Sequence, residues 1–103
     1  MFDVNTIRKD FPILSRQVNG KPLVYLDSGA TAQKPECVIE TVNRMHREQN
    51  ANIHRGVHHL SGCMTDMYER ARDTVRRFIG TQHVEEVIFT AGATASIDLV
   101  AYA

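Results

Sequence analysis

The chain has 103 residues, with Lys+Arg and Asp+Glu equal at 12 each and no formal net charge at pH 7, so no overall field recruits nucleic acid or an anionic membrane and neither is an expected partner. A chain this long holds one small core at most and buries about two thirds of its unfolded surface. Its two cysteines, Cys37 and Cys63, have no metal-ligand or redox spacing, which fits a reducing, cytoplasmic compartment better than a secreted one.

The first residues carry no basic region followed by an apolar core, and no apolar run approaches membrane-spanning length. Asp3 or Asn5 is placed to cap a short helix through Ile7 and Lys9 that ends before Pro12, with Phe11, Ile13 and Leu14 as its anchors. Asn19-Gly20-Lys21-Pro22 is a turn signal, and Leu23-Val24-Tyr25-Leu26 after it reads as a short buried strand that Asp27-Ser28-Gly29-Ala30-Thr31 leaves. Pro35 suits the first turn of a helix in which Val38, Ile39, Val42, Met45 and His46 recur at helical spacing up to about Gln49. From Asn50 to Ser61 the periodicity vanishes, which predicts a loop or arm. Ser61 then reads as the cap of a long helix with Met64, Met67, Ala71, Val75 and Phe78 on one face and Gly80 at its end. On that helix Asp66 with Arg70 and Asp73 with Arg77 have pair spacing, so its basic run reads as a solvated face. Val87-Ile88-Phe89 predicts a strand, Ala91 to Ser96 a tight turn, and Ile97 to Ala103 an apolar helix that stops without a cap. The order points to an α/β or α+β protein whose sheet has barely started, since a single core-type strand cannot form a stable sheet.

Three segments carry candidate chemistry. At Gly92-Ala93-Thr94-Ala95-Ser96 a strand-turn-helix offers small residues, a hydroxyl and the unpartnered first amides of a helix, the arrangement that takes a phosphate. It has one glycine and no lysine, so it is neither a P-loop nor a dinucleotide fingerprint, and a tight connection chosen for packing is the competing reading. In His54-Arg55-Gly56-Val57-His58-His59 the arginine can grip a carboxylate, histidine can exchange protons near neutral pH, and Gly56 permits an unusual backbone angle. A metal site there is disfavoured because no cysteine or carboxylate joins the histidines. In Asp27-Ser28-Gly29-Ala30-Thr31, Gly29 and Ala30 let a ligand approach the backbone, while Asp27 alone starts a turn. Cys63 reads as a buried, inert thiol.

Together, in this order and spacing, these segments resemble the amino-terminal part of the SUF-type, NifS-like cysteine desulfurases and selenocysteine lyases among the class V pyridoxal-phosphate enzymes. The resemblance covers essentially the whole chain and rests on Asp10-Phe11-Pro12-Ile13-Leu14, Val18-Asn19-Gly20, Tyr25-Leu26-Asp27-Ser28, Ala32-Gln33-Lys34-Pro35, His54-Arg55-Gly56-Val57-His58 and Glu85-Glu86-Val87-Ile88-Phe89-Thr90. It implies a truncated α/β chain of PLP-dependent fold type I, holding the start of the mainly parallel large-domain sheet and an amino-terminal small-domain segment. It implies an organisation of 1–34 as helix and small-domain strand, 35–85 as helix, arm and long helix, and 86–103 as the first strand and phosphate-binding helix of the large domain. It implies a homodimer that takes sulfur from L-cysteine, or selenium from L-selenocysteine, leaving alanine and an enzyme persulfide for a sulfur-acceptor protein in iron-sulfur cluster assembly. Under it Gly92, Ala93 and Thr94 bind the phosphate of pyridoxal 5′-phosphate; Gly29, Ala30, His54 and Arg55 line the substrate site; and His54 is an accessory to proton transfer.

The family usually has Gly-Thr-Thr-Glu where this chain has Gly92-Ala93-Thr94-Ala95, so a hydroxyl and a carboxylate are missing. Its cofactor lysine and sulfur-accepting cysteine belong to later segments, and neither Lys34 nor Cys63 matches them, so the expectation for the chain alone is no activity. Two other readings stand beside this one. One is another class V enzyme, kynureninase-like or epimerase-like; the other is a truncated, non-catalytic protein that binds an anion or docks on a partner.

Overall fold

A carboxylate starts the first helix. Asp3 Oδ1 accepts from the amides of Asn5 and Thr6 at 3.0 and 3.3 Å, and Oδ2 accepts from Thr6 Oγ1 at 2.6 Å, satisfying donors that have no partner inside a helix. The Thr6 hydroxyl, followed by its amide, holds the Asp3 carboxyl below the usual carboxylate range. Helix α1 is Val4–Arg8. The structure, a computed structural model, describes residues 2–103, so Met1 at the head of the expected first segment lies outside the described residues. Two units are distinguished, one ending at Gln49 and the other running Asn50–Ala103.

In the first unit Pro12 opens a 3-10 turn, Pro12–Ser15, because it cannot supply the amide a continuing helix needs. Strands β1 (Gln17–Val18) and β2 (Lys21–Pro22) follow as an antiparallel hairpin that pairs Gln17 with Pro22 and Val18 with Lys21. Asn19 and Gly20 turn it with φ of 51° and 71°, the two positive values that a two-residue hairpin requires. The strand expected over Leu23–Leu26 is not formed. Leu23 donates its amide to Arg16 O at 3.0 Å, the ladder stops there, and Val24 and Leu26 are 75% and 91% exposed. Extended backbone becomes a strand only beside another, and among the described residues the hairpin is the only sheet. Helix α2 is Glu36–Glu48, with Pro35 just outside it as the cap residue rather than in its first turn. The Glu36 amide donates to Asp10 O at 2.7 Å, which ties the start of α2 to the segment after α1.

The second unit is built on helix α3, His59–Ile79. Its cap is His58, not Ser61: His58 Nδ1 accepts from the Ser61 amide at 3.3 Å, and Ser61 is only 1% exposed. Gly80 ends the helix at φ 78°, and the amides of Gly80 and Thr81 both donate to Arg76 O. Of the two expected charge pairs on this face, Asp73 with Arg77 forms and Asp66 with Arg70 does not. Asp73 pairs with both Arg76 (2.8 Å) and Arg77 (3.2 Å), whereas Arg70 donates to the Asp66 backbone carbonyl at 3.1 Å and leaves its carboxylate aside. The Arg76 hydrogen bond is the main reason the Asp73 carboxyl lies below the usual range. Arg72 Nη2 donates to Val84 O at 2.9 Å, seating a 3-10 turn, Val84–Glu86, on α3. Val87 behind it is the buried apolar residue among those described, at 6% exposure. The strand expected at Val87–Phe89 is likewise extended backbone without a ladder partner, for the same physical reason. Helix α4, Ala93–Tyr102, follows.

The exposed area decides how complete this core is. It is 8832 Å² for 11.6 kDa, against about 5,800 Å² for a compact monomer of that mass, and about 7,000 Å² even for two separate compact bodies of half the mass. Ile97 and Val100 on α4, at 68% and 80% exposure, contribute to the excess. Among the described residues no helix is long and apolar enough to cross a membrane.

Candidate functional site

The arm from Asn50 to His58 is held by α3. His54 donates its amide to Thr65 Oγ1 at 3.0 Å, and Gly56 donates its amide to Ser61 Oγ at 3.1 Å. Ser61 Oγ in turn donates to Asn52 O at 2.7 Å. The unusual backbone angle sits at His54, φ 54°, and not at Gly56 as the sequence suggested. A non-glycine residue there costs about 1–3 kcal/mol and persists only where its surroundings over-determine it. Gly56 is required for another reason, because a Cβ at that position would lie 2.8 Å from Ser61 Cβ and 2.9 Å from His58 Nε2. Both His54 and Arg55 are exposed. His54 Nε2 lies 3.1 Å from Glu69 Oε1, and Glu69 is shared with Arg72 Nη1 at 3.1 Å. The His54 ring meets Tyr68 edge to face at 5.8 Å between centroids, and Tyr68 meets Phe89 the same way at 5.5 Å. Arg55 lines an open hollow of about 550 Å³ with Asn50, Ala51, Asn52, Gly56 and His58, and among the described residues its guanidinium has no carboxylate partner. An unpaired arginine beside a polar hollow is suited to a carboxylate.

Phe89 leads within three residues to the turn before α4. Gly92 precedes the helix in extended conformation, no side chain caps it, and a Cβ on Gly92 would meet open space. The amides of Ala93, Thr94 and Ala95 belong to the first turn, which has no intrahelical acceptors, and Ser96 is the first to donate back, to Gly92 O at 3.1 Å. An anion at this end gains from these amides and from the helix dipole, about 0.3–1 kcal/mol at an exposed site. Free first-turn amides and open space beside Gly92 are features that suit a phosphate group. Two hydroxyls that sequence reasoning did not single out flank it. Thr90 Oγ1 and Ser96 Oγ lie 2.6 Å apart, and each also contacts Gly92 O, at 3.1 and 3.2 Å. Two protons serve three contacts, so one hydroxyl lone pair or proton is readily redirected to a ligand.

Gly29 and Ala30 lie in the first unit, in a turn closed by the amides of Ala30 and Thr31, which both donate to Asp27 O at 3.2 and 3.0 Å. Tyr25 Oη braces the turn by donating to the carbonyls of Asp27 (3.1 Å) and Thr31 (2.6 Å). Space beside Gly29 is open, while the Ala30 amide is already committed within the turn. His54, Arg55 and the Gly92–Thr94 turn thus share the second unit, linked through Tyr68 and Phe89. Among the described residues no group of three His, Cys, Asp or Glu side chains stands ready for a metal ion. Cys63 is half-buried rather than buried as expected, and its Sγ lies 3.5 Å from His59 Nε2 one helical turn away. The roles of Ser61, Thr65 and Glu69 were not legible beforehand, because each acts across a loop closure whose geometry the α3 sequence does not encode; the one available signal was their i, i+4 spacing on a single helix face.

Comparison with known proteins bears on the family of the chain. The aminotransferase class-V family matches residues 24–103. The chain is 56% identical over 101 residues to a protein named "Probable cysteine desulfurase" from Staphylococcus aureus (strain Mu50 / ATCC 700699), covering 98% of this chain and 24% of that protein. It is 50% identical over 103 residues to "Probable cysteine desulfurase 1" from Mycobacterium leprae (strain TN), covering 100% of this chain and 17% of that protein. The apo structure of cysteine desulfurase from Thermococcus onnurineus NA1 superposes with a TM-score of 0.82 at 37% identity, covering 98% of this chain and 24% of that one. The chain therefore spans about a quarter, or less, of the length of the relatives it matches. Its fold is that of a fold type I amino-terminal segment, helical with a small sheet, and by the family match over residues 24–103 the chain belongs to the aminotransferase class-V family.

Proposed function

We propose that the chain is the amino-terminal portion of a pyridoxal-phosphate-dependent cysteine desulfurase, which takes sulfur from L-cysteine and leaves alanine and an enzyme persulfide. The observation that carries it is identity above half with a protein named a cysteine desulfurase over almost the whole chain. The open amides of Ala93 and Thr94 and the space at Gly92 would hold the cofactor phosphate, with Thr90 and Ser96 supplying hydroxyls beside it. When bound, pyridoxal phosphate supplies the electron sink that such chemistry needs. Arg55 would bind the substrate carboxylate, the Gly29–Ala30 turn would let substrate approach its backbone, and the task of each is orientation. His54, its Nε2 held against Glu69, would hold or pass a proton at that ring. Selenocysteine is a second substrate of the same chemistry, and delivery of sulfur to an acceptor protein for iron-sulfur cluster assembly, a homodimeric state and a cytoplasmic setting belong to the same reading. The cofactor lysine and sulfur-accepting cysteine would lie outside these 103 residues, and the chain alone would be inactive.

The gene read past the Ala103 codon decides the matter. The expected continuation carries a lysine segment and a cysteine segment, and its product releases alanine from L-cysteine in the presence of pyridoxal phosphate and a thiol. A product with the lysine but without the cysteine, inert toward L-cysteine, would transfer the reading to a kynureninase-like or epimerase-like enzyme. A frame lacking both would leave an anion-binding or docking protein.

A further inference from the structure

Ser61 is the one fully buried polar residue among those described, and the proposed chemistry makes no use of its hydroxyl. Its neighbours show what it does. Asn52 O, the His54 amide and the Gly56 amide, spaced two residues apart along the arm, are bonded to Ser61 Oγ, Thr65 Oγ1 and Ser61 Oγ in turn. Ser61 and Thr65 lie one turn apart on α3, so a single rigid face holds three successive points of the loop. The anchors bracket His54, the residue with left-handed backbone. Thr65 also donates to Ser61 O at 2.8 Å, which leaves its oxygen facing the His54 amide. Elsewhere Thr41 and Thr74 donate in the same way to a carbonyl one turn back, but without receiving an amide from a distant loop. The absence of a side chain at Gly56 is what permits the approach, since a Cβ would collide with Ser61.

We propose that Ser61 and Thr65 are positioning residues that hold His54-Arg55-Gly56 in one conformation, so that the side chains meant for substrate are ordered before it arrives. The conformational part stands on the hydrogen bonds alone; the purpose rests on the cysteine desulfurase reading. Ordering the arm in advance removes an entropic cost from binding.

The test is amide exchange and NOE spectroscopy at His54 and Gly56. Thr65→Ala is expected to speed exchange of the His54 amide about tenfold, the scale of one lost hydrogen bond, and to weaken the strong intraresidue amide–Hα contact that positive φ produces. Thr65→Ser keeps the hydroxyl and should restore both, and Thr74→Ala on the same helix should change neither. Ser61→Ala should release the Gly56 amide similarly, and because Ser61 is buried the Thr65 pair decides if that variant fails to fold. Thr65→Ala indistinguishable from Thr74→Ala at His54, or a Thr65→Ser variant that restores nothing, would overturn the proposal. In the complete enzyme Thr65→Ala is expected to raise KM for L-cysteine about tenfold with kcat retained. A complete wild-type protein without desulfurase activity would defeat the functional reading while the exchange data still judge the clamp.

Discussion

Two glycines that look alike in sequence have opposite demands placed on them. At Gly56 the space for a Cβ is taken by Ser61 and His58, whereas at Gly29 nothing lies within 4 Å and the backbone is not left-handed. Gly56→Ala is therefore expected to destabilise the second unit by about 1–3 kcal/mol through overpacking. Gly29→Ala is expected to be neutral or to stabilise by about 0.4–1 kcal/mol by restricting the unfolded chain. Urea midpoints of the two variants check this, and equal midpoints would contradict it. The left-handed residue of the arm is His54, where a glycine would have been the simpler choice. Keeping an imidazole at a strained position makes sense if its ring is needed where Glu69 and Tyr68 hold it.

At the scale of elements, helix ends govern what the chain offers. The N-terminus of α1 is closed by Asp3, that of α3 by His58, and that of α4 by no side chain at all. Helix α2 has no side-chain cap either, but its Glu36 amide is taken by Asp10 O, whereas the first-turn amides of α4 are left for a ligand. In the last turns of α3, before Gly80 ends it, Asp73 accepts from Arg76 and pairs with Arg77, which lowers its pKa in the folded chain. Folding thus favours the ionised carboxylate. Its contribution is complete above the unfolded-state pKa, declines as pH falls below that value, and is gone once pH passes through the lowered folded-state pKa. Helicity followed by circular dichroism is expected to fall over that acid window, and Asp73→Asn to remove this part of the dependence while also lowering helix stability at neutral pH. An Asp73→Asn profile that overlays the unmodified chain at every pH would show that the pair carries no stability. Because the pair is exposed, the effect should shrink with added salt.

For the whole molecule, the area left in contact with water is the controlling quantity. A compact 103-residue domain would bury about 65% of its extended-chain surface, and this chain buries about half. The urea m-value, which scales with area exposed on unfolding, is expected to be about a quarter lower than for a compact protein of equal length. A full-sized m-value would mean that exposed apolar residues such as Ile97 and Val100 on α4, and Val38, Ile39 and Val42 on α2, are covered in solution.

Local signals in the sequence determined the helices, their main stop signals and the hairpin turn, since apolar periodicity, Gly80, Pro12 and Asn19-Gly20 act within a few residues of themselves. They also marked the strand-turn-helix before Ile97 and the His54–Arg55 arm as places for chemistry. Tertiary structure alone decided that Leu23–Leu26 and Val87–Phe89 remain unpaired, because a strand is a relation between two segments and among the described residues neither has a neighbouring strand. It likewise decided that His54 carries the strain, that Gly56 is needed for space and that Ser61 serves as an anchor rather than a cap. Each of these follows from where a loop returns onto α3, and closing a loop is a matter of distances between residues remote in sequence, which no local pattern records.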